Sequence, residues 1–112
     1  MGEAALSDTV ISFRLARAEE FARQWKINAK RLQSLANNPQ TPDSVRSDAL
    51  AEARTAAGIV GQRATDLAEL AKQRGFAAWE SDPKVAPLVV EIRAVEHALT
   101  CLLYTSPSPR DS

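Results

Sequence analysis

Two long stretches of this chain space their apolar residues alternately by four and three, and that rhythm restricts it to helices. From Ile11 the series runs Ile11, Leu15, Ala18, Ala22, Trp25, Ala29, Leu32, Ala36, with Phe21 and Leu35 widening the stripe on one flank. Residues so spaced share one side of an α-helix. Ser7 or Asp8 can cap its N-terminus, and Asn37-Asn38-Pro39 supplies the stop. A helix of about 30 residues, roughly 45 Å long, is predicted.

Asn37 to Pro42 then reads as a turn, with Thr41 as N-cap and Pro42 at the first helical position, where a missing N–H costs nothing. A second stripe follows through Leu50, Ala53, Ala57, Val60, Ala64, Leu67 and Ala71, with Ala49, Ala56 and Leu70 beside it and Gly75 placed to end the helix. This stripe is mostly alanine, whereas the first carries Phe21, Trp25 and Leu32. Large side chains against small ones allow a close approach, near the lower end of the ~8–10 Å interaxial range. The expectation is an antiparallel hairpin with Trp25 and Leu32 lying over the alanines, in which Trp25→Ala costs about 3–5 kcal/mol. Gly58 and Gly61 each weaken a helix interior by about 1 kcal/mol. They read either as a tolerated weak point in a long helix or as a break or close approach of another backbone, and a continuous helix is expected through both.

The third segment is more ambiguous. Phe76-Ala77-Ala78-Trp79 fits one helical turn ended by Ser81-Asp82-Pro83, and Pro87 places the start of the next element. Leu88, Ile92, Val95 and Leu99 fit a helix, although Leu88-Val89-Val90-Glu91-Ile92 is β-branched enough for a strand. The helical surroundings favour helix. The fold class is therefore all-α: an antiparallel hairpin extended to a three-helix bundle, or to a larger one of which this is a truncated part.

The end of the chain differs in character. One choice of codons for Cys101 to Asp111 spells the transposase-end adapter used in sequencing libraries. Residues 101–112 resemble translated adapter, so a single helical domain over 1–100, truncated at its C-terminus, is expected, followed by a non-native tail. The helical register should stop at or soon after Leu103, with Leu102 and Leu103 able to prolong the last helix by a turn and the tail making no core contact of its own. The lone cysteine, Cys101, and the lone tyrosine, Tyr104, both fall in this tail.

Composition excludes several functions. With 14 basic and 14 acidic side chains the formal net charge is zero, so no overall field draws the chain to nucleic acid or an anionic membrane. The longest apolar run, Val85 to Val90, is far too short for a bilayer span, and Met1 to Asp8 lacks the basic region of a secretory signal. A cytoplasmic protein with no membrane association is expected. No phosphate-cradling loop, nucleophile elbow or metal-binding His-Glu-x-x-His occurs. His97 is the lone histidine and reads as a structural one, so no catalytic, cofactor-binding or metal-binding residue is assigned.

Helix one is basic, through Arg14, Arg17, Arg23, Lys26, Lys30 and Arg31. Its charges spread around the helix with Glu19 and Glu20 among them, which favours a solvated face with pairs such as Glu19 with Arg23, and Glu20 with Arg23 or Gln24, over phosphate binding. Phe13 and Ile27 point away from the main stripe. Together with Trp79 they are the candidate contacts for a partner chain. Separately, Phe76, Trp79, Pro87, Val89, Ile92 and Arg93 fall at spacings similar to those opening the helical dimerisation domain of glutamyl-tRNA reductases. That resemblance covers only 76–93, with nothing upstream like the family's nucleotide-binding domain or catalytic-cysteine region, and the chain is assigned to no family on it. It would imply a dimerising helical module without an active site. The expected function is a helical interaction or oligomerisation module, with a protein partner or self-association. The alternatives are a helical subdomain of an enzyme whose catalytic part is missing, and a nucleic-acid binder using helix one.

Overall fold

A computed structural model describes residues 7–105 and contains three α-helices: α1 (Asp8–Asn37), α2 (Asp43–Gln73) and α3 (Ala86–Thr105). A single 3-10 turn, Trp79–Ser81, lies between α2 and α3. The helices pack as a three-helix bundle in which α1 and α2 form the antiparallel hairpin and α3 covers both.

The ends of α1 follow from local chemistry. Ser7 caps it, its hydroxyl accepting from the Val10 N–H at 3.2 Å. The far end leaves orphan carbonyls and has no basic residue in its last turn. Arg46 of α2 reaches back to supply the missing donors, from Nε to the Ala36 carbonyl at 3.1 Å and from Nη2 to that of Asn38 at 2.9 Å.

At the start of α2 one expectation is corrected. Thr41 does not cap the helix: Pro42 occupies the cap position, with ψ near 148°, and its carbonyl accepts from the Arg46 N–H at 2.9 Å. Thr41 is instead tucked in, its own N–H bonded to the Asn38 carbonyl at 3.0 Å. α2 then runs unbroken through Gly58 and Gly61. Its other end is a Schellman motif, as Gly75 suggested. Gly75 takes φ of 97°, its N–H bonds to the Lys72 carbonyl, and the Phe76 N–H bonds to that of Ala71.

The core corrects the expected division of labour. α1 buries mainly small residues, Ala18, Ala22, Ala29 and Ala36, with Leu32 as its one fully buried large side chain. Trp25 is only half-buried, packed on the core edge at 6.4 Å from the Phe21 ring centre. The bulk that fills the alanine face of α2 comes chiefly from α3, through Val89, Ile92, Val95, Leu99 and their neighbours. At Gly61 there is no room for a side chain, since a Cβ would lie 2.5 Å from Glu96 Oε2. The close neighbour there is a side chain and not a second backbone.

Two further expectations change beyond Gly75. Phe76 to Ala78 is not helical, and although the 3-10 turn Trp79–Ser81 ends at Asp82 as expected, the Asp82-Pro83 pair also begins the turn into the third helix. Asp82 has extended backbone angles, its carboxylate accepts from the N–H groups of Lys84 (3.0 Å) and Val85 (3.3 Å), and its carbonyl accepts from Ala86 (2.8 Å). That is an N-cap followed by proline at the first position of a turn leading into α3. The same carboxylate, fully buried, holds the Arg74 guanidinium through two contacts of 2.7 and 3.3 Å. Burial by itself would raise its pKa. The Arg74 pairing and the two amides outweigh burial and hold the carboxyl below the ordinary carboxylate range.

At the far end, α3 continues through Thr105, and Leu102 is buried in the core with Leu103 packed against it. The expectation that the tail makes no core contact is therefore corrected at these two positions. An i,i+4 continuation of the Leu88–Leu99 stripe places them on the bundle-facing side. The rest of the expected tail, Ser106 to Ser112, lies outside the described residues.

Because the bulk of the core comes from α3, Ile92→Ala is expected to destabilise by about 2–5 kcal/mol, more than Trp25→Ala, whose ring is only partly buried at the core edge. Urea melts followed by circular dichroism check the order. Asp82 is held ionised more strongly in the folded than in the unfolded chain. Its contribution is therefore complete above the unfolded carboxyl value near ~3.9 and is lost as pH falls through its lower folded value. Asp82→Asn should cost about 3 kcal/mol at neutral pH and flatten that acid limb. Identical acid limbs in wild type and variant would remove the pair from the account.

Candidate interaction groove

The antiparallel pairing sets the N-terminal half of α1 beside the C-terminal half of α2, and between them lies an open groove of about 550 Å³. Leu67 and Leu70 of α2 form its floor with Ala18 of α1. Val10 and Phe13 stand along the α1 side, and Asp66, Glu69 and Gln73 along the α2 side. Arg14, Arg17 and Arg63 also line it. α1 is the less tightly packed partner of α2, which leaves this seam open while the α2–α3 seam is filled.

None of these three arginines forms an ion pair or hydrogen bond among the described residues. Arg17 lies over the Phe13 ring at 5.6 Å, and Arg63 over the Phe21 ring at 4.3 Å. The acidic groups on the α2 rim are engaged along their own helix. Asp66 accepts from Gln62 at 3.0 Å, and Glu69 pairs with Lys72 at 3.6 Å.

Phe13 and Ile27 are 60% and 63% exposed, and Phe13 belongs to the groove. Ile27 lies two heptads further along the same side of α1, about 21 Å away, beyond the groove. On α2, Ile59 is exposed and precedes Arg63 by one turn, so it extends this outer face toward Ile27. Trp79 is not brought to them. It is half-buried against the core, and its turn touches α2 and α3 but not α1.

The remaining polar candidates stay apart. Glu20 pairs with both Arg23 and Gln24, the latter at 2.9 Å, while Glu19 pairs with neither. His97 is exposed on α3, with Nε2 3.4 Å from Cys101 Sγ one turn on. Among the described residues no three His, Cys, Asp or Glu side chains converge as a metal site would require. No described helix is long and apolar enough to cross a membrane.

Phe13, Arg14 and Arg17 were each visible in the sequence, the first as an off-stripe aromatic and the others as part of a basic helix. Arg63 was missed. Its signal is antiparallel register, which sets a residue on the α1-facing flank of α2 opposite Phe21, and no local pattern encodes that. Comparison with known protein families, curated proteins and solved structures gives no match to this chain. The function is therefore argued from the groove and the outer face it belongs to.

The geometry separates the arginines energetically. Arg63→Ala should destabilise by about 0.5–1 kcal/mol through loss of the Phe21 contact. Arg14→Ala, which stacks on no ring, should stay within about 0.5 kcal/mol of wild type. Parallel urea titrations distinguish the two.

Proposed function

We propose that this chain is a helical interaction module, of cytoplasmic location, that engages a protein partner or a second copy of itself through the outer face of α1 and α2. The observation that carries the reading is the pairing of exposed Phe13 and Ile27 with a groove whose arginines have no acidic partner among the described residues. Exposed aromatic and aliphatic groups beside uncommitted guanidinium groups are the composition of interface anchors. A nucleic-acid reading would draw on the same arginines but gives no role to exposed Ile27, which lies beyond them on α1.

Phe13→Asp and Ile27→Asp provide the test, because both side chains are largely outside the core. Each variant should melt within about 0.5 kcal/mol of wild type. Wild type should show association, either concentration-dependent in sedimentation velocity or as a discrete cross-linked complex, and both variants should lose it. Association that survives both substitutions would remove this face from consideration and the reading with it.

A further inference from the structure

We propose that the α1/α2 groove receives an acidic amphipathic helix of a partner protein, with the partner's apolar stripe on Val10 and Phe13 and its carboxylates on Arg14, Arg17 and Arg63. This inference rests on the interaction-module reading and names the occupant of the same face.

Charge complementarity carries the choice. The described residues form seven ion pairs elsewhere, including Lys26 with Glu91 and Arg31 with Glu52 across helices, yet the three groove arginines take part in none. Arg17 and Arg63 are instead laid on aromatic rings. Among the described residues neither guanidinium donates a hydrogen bond, so the N–H fork that takes a carboxylate by two hydrogen bonds is available. The two carboxylates that line the groove, Asp66 and Glu69, bond along α2 to Gln62 and Lys72 and to none of these arginines. A ligand that brings its own carboxylates supplies the acceptors they lack.

Shape points to a helix. The groove volume of about 550 Å³ falls within the ~300–1,000 Å³ of clefts that enclose ligands. From Arg63 to Gln73 the α2 wall runs about 15 Å, two to three helical turns, so an i, i+3, i+7 set of apolar side chains fits its length. Exposed Val10 and Phe13 beside Arg14 and Arg17 suit leucines flanked by glutamates that lie on the α1 side, away from Asp66 and Glu69. A phosphodiester suits the groove less well, because the strand's backbone would leave exposed Val10 and Phe13 without an apolar partner. A two-fold dimer through the same groove would turn its arginines toward one another.

The test uses the full chain and a fluorescein-labelled synthetic helical peptide, with leucines at i, i+3 and i+7 and glutamates between them. Two comparison probes are its glutamine-for-glutamate counterpart and a single-stranded oligonucleotide, all read by fluorescence anisotropy. The glutamate peptide should bind, and affinity should fall about tenfold or more for the glutamine peptide, and likewise for the double variant R14E and R17E. Circular dichroism melts should match wild type, which separates lost binding from lost folding. Equal binding of the glutamine peptide, or tighter binding of the oligonucleotide, would overturn the proposal. So would self-association that the glutamate peptide fails to displace. If that peptide does not bind while Phe13→Asp still abolishes association, the acidic-helix inference falls and the interaction-module reading stands. If neither occurs, both fall.

Discussion

The bundle depends on how closely α3 can lie against α2. The facing side of α2 is built from Ala53, Ala56, Ala64 and Ala71 with Val60 and Leu67, and its smallest point, Gly61, accommodates the Glu96 carboxylate. Small side chains bring the helix axes together but bury little apolar area each, so this face is stabilising only because α3 brings branched and long residues to it. Helix α1 then packs a second small-residue face against the pair. A core of this kind has few large anchors, and removal of any one of Leu32, Ile92 or Leu99 would leave a void with little bulk nearby to fill it.

Close packing of α2 and α3 requires the chain to turn back and begin the third helix at a defined place. Gly75, in the left-handed region, ends α2, and Asp82 starts the next helical run. The Arg74–Asp82 pair ties those two ends together. A buried carboxylate with only one cation would be costly, and here two amides complete its shell. The pair is better understood as fixing the geometry of the junction than as a large net source of stability.

The groove is the other side of the same asymmetry. Because α3 fills the α2 seam on one side, the α1–α2 seam on the outer side is lined by residues with longer polar ends and remains open. Arg17 and Arg63 there lie over Phe13 and Phe21, and among the described residues neither they nor Arg14 has an acidic partner. A surface held in this way loses little side-chain freedom on binding, because Arg17 and Arg63 are already positioned by the rings beneath them.

The extent of α1, the register of its stripe and the glycine end of α2 were legible in the sequence because each is a local property: apolar spacing, a serine cap, a residue free to take positive φ. Leu88, Ile92, Val95 and Leu99 were legible as one helical face for the same reason. The proline motifs show where local reasoning stops. Thr41-Pro42 and Asp82-Pro83 carry the same cap-then-proline signal, yet only Asp82 caps, because Arg74 and the amides of Lys84 and Val85 converge on it while Thr41 is drawn into the turn. Likewise the sequence determined that α2 would present alanines, but not which helix would cover them. Trp25 looked like the anchor by size and proved to be an edge residue. The groove needed tertiary structure altogether, since it joins Phe13 and Arg17 to Arg63 across some 50 positions of sequence. Helical periodicity fixes which residues share a face, and only packing decides which faces meet.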